Sequence, residues 1–277
     1  MRKEAAMKNL KGKTAVVTGA GMGMGLDLSR KLLQEGCAVA LVDVKPDSLQ
    51  AAEEELRSLG PCRGFVCDIS DRAAVYDLAA RIEADMEPPA ILVNNAGIVT
   101  AAPLLDLDDD AIERMIRVNL TALFWTCKAF LPAMLRRGEG HIVNFASAGG
   151  ILAIPNLSAY CASKFGVIGF TDSLRQEMRK LRADIGVTVV CPNTVNTGMF
   201  EGSKMVAGTQ MLKPGDVTTR VVEAIRRNQA MVAVPSLPVK FVTPLMKVLL
   251  PIKAMDWLNA ALGMADANDT WTGHTRR

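Results

Sequence analysis

An α/β protein with a doubly wound parallel sheet is predicted by three observations. Short apolar runs alternate with amphipathic stretches, each pair about 25–30 residues long, which is the rhythm of strand–helix units. Apolar residues make up 49% of the chain but aromatics only 5%, which fits an Ala/Val/Leu-rich sheet covered on both faces. Glycines and chemistry-bearing side chains fall directly after the apolar runs, where open α/β sheets bind ligands.

Taken in order, residues 13–18 read as a buried strand centred on Ala15, Val16 and Val17, and Gly19-Ala20-Gly21-Met22-Gly23-Met24-Gly25 follows at once. Residues 26–34 then have helical spacing through Leu28, Leu32 and Leu33, with Gly36 as the stop. Strand, glycine loop and helix in that order are the context in which such a loop binds a dinucleotide rather than forming an ordinary Gly-rich turn: glycines admit the pyrophosphate to the backbone, and the helix start offers N–H groups and a positive dipole end. Residues 37–44 form a second strand. Near its end stands Asp43, 18 residues beyond Gly25, about where a carboxylate takes the adenosine ribose hydroxyls. A carboxylate there also repels a 2′-phosphate, so NAD is favoured over NADP; Lys45 is a neighbouring cation that could accept that phosphate.

A helix over 49–59, a third strand over 64–67 and Asp68 come next; Asp68 lies either beside the adenine or in a turn or helix cap. Ser70 or Asp71 can cap a helix striped by Val75, Leu78, Ala79 and Ile82. After Pro88-Pro89, a fourth strand over 90–93 runs into Asn94-Asn95-Ala96-Gly97. A long helix is expected from about 108 to 137, with Asn119 in its middle, and a fifth strand over 140–145 precedes Ser147. A helix over 156–181, a sixth strand over 187–191 ending at Pro192-Asn193-Thr194-Val195-Asn196-Thr197, a helix over 216–227 and a seventh strand over 231–234 complete the unit. The stretch 198–215 lacks an element and reads as a lid or an unordered loop. No linker divides the chain before Pro235, so residues 1–234 are expected as one domain and 235–277 as a C-terminal extension.

The totals exclude several classes. A formal charge of +3 with scattered basic residues gives no nucleic-acid footprint. Six cysteines without a CxxC and only two histidines argue against a zinc site or any other metal, and for reduced thiols in a cytoplasmic protein. Residues 1–13 are too polar for a signal peptide, and no run of about 20 apolar residues suggests a spanning helix.

Tyr160 and Lys164 are four apart on the expected helix 156–181, hence on one face. A phenol titrates near 10, and a neighbouring ammonium favours its anion and brings it closer to proton transfer. Alone, such a pair also describes a solvated helix face; here the strand-end residues supply a nucleotide beside it.

With these residues in register, the chain resembles the short-chain dehydrogenase/reductase family from about residue 10 to 234. The motifs occur in order: Thr18-Gly19-x3-Gly23-x-Gly25, Asp68, Asn94-Asn95-Ala96-Gly97, Asn119, Ser147, Tyr160-x3-Lys164, and Pro192 to Thr197, with Tyr160 standing 13 positions after Ser147. The resemblance implies a seven-stranded Rossmann sheet and a tetrad of Asn119, Ser147, Tyr160 and Lys164. Tyr160 would exchange the alcohol proton, Ser147 would bond the substrate oxygen, Lys164 would hold the nicotinamide ribose and bias Tyr160 toward phenolate, and Asn119 would bind a relay water and distort its helix. It also implies that the cofactor lies on Gly19, Met22, Gly23, Met24, Asp43, Asp68, Ile69, Asn95, Ala96, Gly97, Tyr160, Lys164, Pro192, Asn193, Val195 and Thr197. Asn193 stands where the family usually has glycine, and Asn tolerates the positive φ such a turn would need. Met22, at a position often polar in NADP-dependent members, favours NAD.

For the substrate, Ile151–Pro155 and the loop residues Met199, Phe200, Met205 and Met211 predict an apolar pocket. Residues 235–264 are apolar, proline-punctuated and carry Lys240, Lys247 and Lys253. That tail resembles those of family members acting on steroids, retinoids or other lipophilic alcohols. It would cover the pocket, rest peripherally on a membrane or dock on a neighbouring subunit of a homodimer or homotetramer. The leading expectation is an NAD(H)-dependent hydroxysteroid or bile-acid dehydrogenase. The alternatives are a retinol or long-chain alcohol dehydrogenase, a 3-oxoacyl reductase, and a nucleotide-sensing regulator on the same fold.

Overall fold

The structure, a computed structural model, describes residues 7–205, 209–264 and 266–273. The apolar runs become seven parallel strands: β1 (Thr14–Thr18), β2 (Ala38–Asp43), β3 (Cys62–Val66), β4 (Ile91–Asn94), β5 (Gly140–Phe145), β6 (Ile185–Pro192) and β7 (Met231–Val234). Their spatial order is β3-β2-β1-β4-β5-β6-β7. The order reverses between β1 and β4, so a crevice opens beyond the ends of these two strands.

Side-chain alternation along each strand feeds two cores. Ala15, Val17, Val39, Leu41, Ile91 and Val93 face one side, with α1 (Gly23–Gln34), α2 (Pro46–Leu56) and α7 (Pro214–Arg227) packed on them through Leu28, Leu32, Leu49, Leu56, Val221 and Ile225. Val16, Ala40, Val42, Leu92 and Ile142 face the other, against α3 (Arg72–Asp85), α5 (Ala122–Arg137) and α6 (Ser158–Leu181). Burial on both faces explains why the strands read as continuous apolar runs rather than alternating ones.

Several boundaries differ from expectation, each for a local reason. Helix α1 begins at Gly23 rather than residue 26, because the last glycines of the loop are already helical and their weak propensity hides it. Helices α2 and α7 begin with Pro46 and Pro214, whose fixed φ suits the first helical position. Strands β3 and β6 start two residues early, while α6 starts at Ser158 because Asn156 adopts φ 62°. Asp71, not Ser70, caps α3, accepting from the N–H groups of Ala73 and Ala74 at 2.7 and 3.2 Å.

The single long helix expected over 108–137 is three pieces: α4 (Asp109–Ile116), a π-helical turn (Arg117–Thr121) and α5. By length and composition this run of 29 residues could cross a membrane, although the sequence suggested no spanning helix. Its Cys127, Phe130 and Met134 instead pack against the sheet. All six cysteines are unpaired, and burial raises their pKa values, to about 12 for Cys37, Cys127 and Cys191. That is the inert state expected of structural thiols. Among the described residues no cluster of His, Cys, Asp and Glu could hold a metal.

Beyond β7 come a π-helical turn (Leu237–Val242), α8 (Thr243–Leu249) and α9 (Ile252–Ala261). The expected lid, 198–215, and the extension, 235–277, each fall partly outside the described residues.

Candidate active site

The side expected to take the cofactor is built at the reversal between β1 and β4. Gly19 and Gly23 have φ of 66° and 58°, conformations that favour glycine. A Cβ on Gly25 would sit 2.0 Å from the carbonyl oxygen of Gly19, so the loop can fold on itself only with glycine there. Helix α1 is preceded by Met22 at its N-cap, with no side chain capping its first N–H groups and no acid in its first turn. That leaves donors and a positive dipole end available to a phosphate. These features fit a dinucleotide.

Asn95 locks the loop from behind. Its Nδ2 donates to the carbonyls of Thr18 and Gly19 at 2.9 and 3.2 Å. The N–H groups of Asn95 and Ala96 both donate to Thr18 Oγ1 at 3.1 Å, and that hydroxyl in turn donates to Val93 O at 3.3 Å. Asn95, expected at the cofactor, thus also braces the glycine loop with its side chain. Thr18, overlooked as a buried strand residue, is the pin of the crevice.

Asp43 stands at the end of β2. One carboxylate oxygen accepts from Gly21 N at 2.9 Å and the other from Lys45 N at 3.1 Å, which aims the group at the loop's rim. Asp68 accepts from Ser70 N and Oγ at 2.9 and 2.7 Å, so it shapes the turn after β3, with Ile69 buried beside it. Met22 is exposed and Met24 packs on the core. At the end of β6, Asn193 does not adopt positive φ: among described non-glycine residues only Asn156, Arg182 and Asn228 do. Its Oδ1 accepts from Thr194 N at 2.9 Å while its own N–H donates to Val234 O at 2.8 Å, so the turn after Pro192 closes by side-chain capping. Val195 bridges Leu212, and Thr197 Cγ2 would lie 3.2 Å from a Cβ on Gly23. The segment after β6 therefore packs directly on the glycine loop.

The reactive side chains meet beside this cradle. Tyr160 is 5% exposed and Lys164 4%. Lys164 Nζ donates to Phe145 O at 2.9 Å and lies 5.7 Å from the centre of the Tyr160 ring. Burial pulls Lys164 down to about 8, with the nearby Cys191 acting in the opposite sense. Burial pushes the Tyr160 phenol up to about 12, while its hydrogen bond with Ser147 works the other way. Desolvation dominates at Tyr160, because a buried phenolate gives up its hydration. Ser147 Oγ also accepts from Gly149 N at 3.1 Å, which fixes its position at the end of β5.

Asn119 lies in the π-helical turn and is buried. Its Oδ1 accepts from Ile98 N at 2.8 Å, and its Nδ2 donates to Ile98 O at 2.9 Å and Ser163 Oγ at 3.1 Å. Both amide hydrogens are engaged, so the side chain ties the segment after β4 to α6. The distorted helix expected at this residue is present. A Cβ on Gly97 would lie 3.3 Å from Asn119 Oδ1 and 3.4 Å from Lys164 Nζ, so Gly97 keeps the space between them open.

On the outer side of Tyr160 is a separate apolar cluster. Val99, Leu107, Met115, Leu157 and Trp271 are buried in it, with Ile154, Met199 and Phe200 partly so. The Phe200 ring meets Tyr160 edge-on, with centroids 5.7 Å apart and planes at 83°. Of the residues expected to line a pocket, Ile154, Met199 and Phe200 reach this cluster, Ile151 packs beside Val239, and Met205 and Met211 are exposed. An apolar cavity of about 630 Å³ lies between α6 and α9, lined by Ile154, Pro155, Cys161, Phe165, Ala260 and Met264 among others. Cys161 lines it and Tyr160 does not, so it adjoins the reactive centre without containing it. Trp271 was missed because nothing in its polar surroundings, Asp269-Thr270-Trp271-Thr272, marks it as core.

Comparison with known proteins agrees with this geometry. Residues 13–205 match the model of the short chain dehydrogenase family. Epidermal retinol dehydrogenase 2 of Mus musculus is 34% identical over 275 residues, covering 98% of this chain and 88% of that one. Estradiol 17-beta-dehydrogenase 11 of Homo sapiens is 36% identical over 244 residues, covering 87% and 81%. A short chain dehydrogenase/reductase from Burkholderia phymatum in complex with NAD superposes with a TM-score of 0.80 at 26% identity, covering 91% of this chain and 97% of that one. A metagenomic short-chain oxidoreductase in complex with NADP gives 0.70 at 30%, covering 81% and 96%. The chain belongs to the short-chain dehydrogenase/reductase family, of the hydroxysteroid/retinol type. It is an alcohol/ketone oxidoreductase that uses a nicotinamide cofactor.

Proposed function

We propose that the protein is an NAD(H)-dependent dehydrogenase interconverting a secondary alcohol and a ketone on a lipophilic substrate, a hydroxysteroid or bile acid being the leading class. The observation that carries the reading is the buried Tyr160, hydrogen-bonded to Ser147 and adjoining both Lys164 and an apolar wall containing Phe200. Residues 1–234 are read as the catalytic domain. A nicotinamide held there would supply or accept the hydride. Gly19, Gly23, Asp43, Asp68 and the segment from Pro192 to Thr197 hold the cofactor, and Lys164 holds its ribose.

Ser147 orients the substrate oxygen and Tyr160 exchanges the proton at that oxygen. Pushed up to about 12, the phenol is too weakly acidic to lose its proton near neutrality, so Lys164 would have to favour its anion during oxidation. Asn119 acts as a positioning residue for α6 against the segment after β4. Asp43 supports NAD over NADP through repulsion of a 2′-phosphate.

Retinol or another long-chain primary alcohol is the second reading, favoured by the similarity to the mouse retinol dehydrogenase. The tail 235–277 is read as a peripheral membrane contact of a cytoplasmic homo-oligomer. Leu237, Val248, Ile252 and Trp257 project from it, with Lys240 and Lys253 beside them and Asp256 as the sole acid between residues 237 and 261. Steroids, bile acids, retinol and aliphatic alcohols assayed separately with NAD and NADP test the assignment. Tyr160→Phe is expected to lower kcat by about a thousandfold or more with cofactor affinity within about twofold of wild type. Full turnover by Tyr160→Phe would remove the phenol from the mechanism.

A further inference from the structure

The tetrad accounts for the inner side of Tyr160 but not for a second set of contacts on its outer side. There the segment 266–273 is laid along the loop 199–204. Lys204 N donates to Ala267 O and Thr272 N to Glu201 O, each at 2.8 Å, so the two stretches are joined by backbone at both ends. Between them Thr270 Oγ1 donates to Gly202 O at 2.6 Å. Gly202 has φ 79°, and a Cβ on it would stand 2.2 Å from Thr270 O, so the close approach requires glycine. The Trp271 indole is 6% exposed and inserted in the cluster that contains Tyr160 and Phe200. Its Nε1 donates to Met199 O at 3.0 Å, one residue before Phe200.

A loop without helix or strand has little of its own to fix a side chain. Here one large buried ring anchors it, and the indole N–H leaves only one orientation satisfied. We propose that Trp271 is a positioning residue that holds Phe200 edge-on to Tyr160, so that the strap 266–273 sets the size and shape of the apolar alcohol admitted to the phenol. The proposal rests on the reading of Tyr160 as the proton-transfer group. It assigns selectivity to a contact across some 70 residues of chain rather than to the loop's own side chains.

Full-length Trp271→Phe keeps most of the ring volume but removes the N–H bond to Met199; Gly202→Ala forces the strap away from the loop. Each is compared with wild type on a series of 2-alkanols of increasing length and one hydroxysteroid, with cofactor affinity measured by calorimetry. Trp271→Phe is expected to change the ratio of kcat/KM between the longest and shortest alcohols by about threefold, and Gly202→Ala by about tenfold, through KM and with cofactor affinity unchanged. Amide hydrogen exchange at Lys204 and Thr272 is expected to speed up in both variants.

An unchanged length ratio, or an equal fall in kcat on every alcohol, overturns the specificity role. Unchanged exchange in both variants overturns the strap itself. If the wild type oxidises none of the alcohols, the secondary-alcohol reading fails and the specificity role with it, whereas faster exchange in the variants still upholds the strap.

Discussion

The two sides of Tyr160 are built in different ways. The cofactor side is made of backbone: glycines at 19, 23 and 25, the carbonyls held by Asn95, and the turns after β2, β3 and β6. Its parts are strand ends, so the register of the sheet brings them together without further instruction. The substrate side is made of side chains drawn from separated stretches, among them Val99, Met115, Leu157, Phe200 and Trp271. No strand fixes the last two. A backbone site fails when a single Cβ is added, whereas a side-chain wall changes shape by degrees.

The largest expected effect tests the backbone side. Gly25→Ala places a methyl 2.0 Å from Gly19 O, and the loop must open. Cofactor affinity is expected to fall about a hundredfold or more, roughly 2.7 kcal/mol, measured by calorimetric titration alongside the melting temperature. Affinity within threefold of wild type would show that the cradle is as adaptable as the wall.

Next in size is a test of the sheet that both sides lean on. His141 of β5 is fully buried, with its Nε2 2.7 Å from Thr188 Oγ1, and desolvation pulls it down from 6.5 to about 3. Below pH 6.5 the unfolded chain binds a proton that the folded chain refuses, so stability is lost as pH falls from 6.5 toward 3. About 2 kcal/mol should disappear between roughly pH 7 and pH 5, and His141→Asn should flatten that dependence in urea titrations. Equal slopes for variant and wild type would assign the acid sensitivity elsewhere.

Asp43→Ser removes the carboxylate at the rim of β2. The NAD-to-NADP ratio of kcat/KM is expected to fall at least about tenfold, since the 2′-phosphate no longer meets a like charge. A wild type that already prefers NADP would overturn the role given to Asp43.

The smallest effect on stability is expected far from either side. Trp257 is 72% exposed on α9, so Trp257→Ser should alter folding stability by less than about 0.5 kcal/mol. Binding to vesicles containing anionic lipid should nevertheless weaken; unchanged partitioning would remove the membrane contact proposed for the tail.

Reading the sequence was easiest where function follows from chain-local pattern. The glycine loop, Asp43 after β2, Asn95 after β4 and Ser147 after β5 could be placed because each directly follows an apolar run. The Tyr160 and Lys164 pair was legible as one helix face. Harder to see were roles that depend on a partner far along the chain. Thr18 looks like any strand threonine until Asn95 and Ala96 bond to it. Asn193 suggested a positive φ, yet its side chain closes the turn instead. The pKa of Tyr160 was read from its neighbour Lys164 alone, whereas its burial is a property of the whole cluster and dominates.

By itself the sequence determined the parallel doubly wound sheet, the strand ends proposed to hold the cofactor and the placement of Tyr160 and Lys164 together on α6, because hydrophobic period and glycine placement are local facts. Only the tertiary structure decided what faces the phenol. Phe200 reaches Tyr160 and Trp271 holds the loop that carries it, through contacts whose partners lie 40 and 72 residues apart in the chain. Neither periodicity nor a motif encodes such a pairing; it exists only once the two segments are packed together.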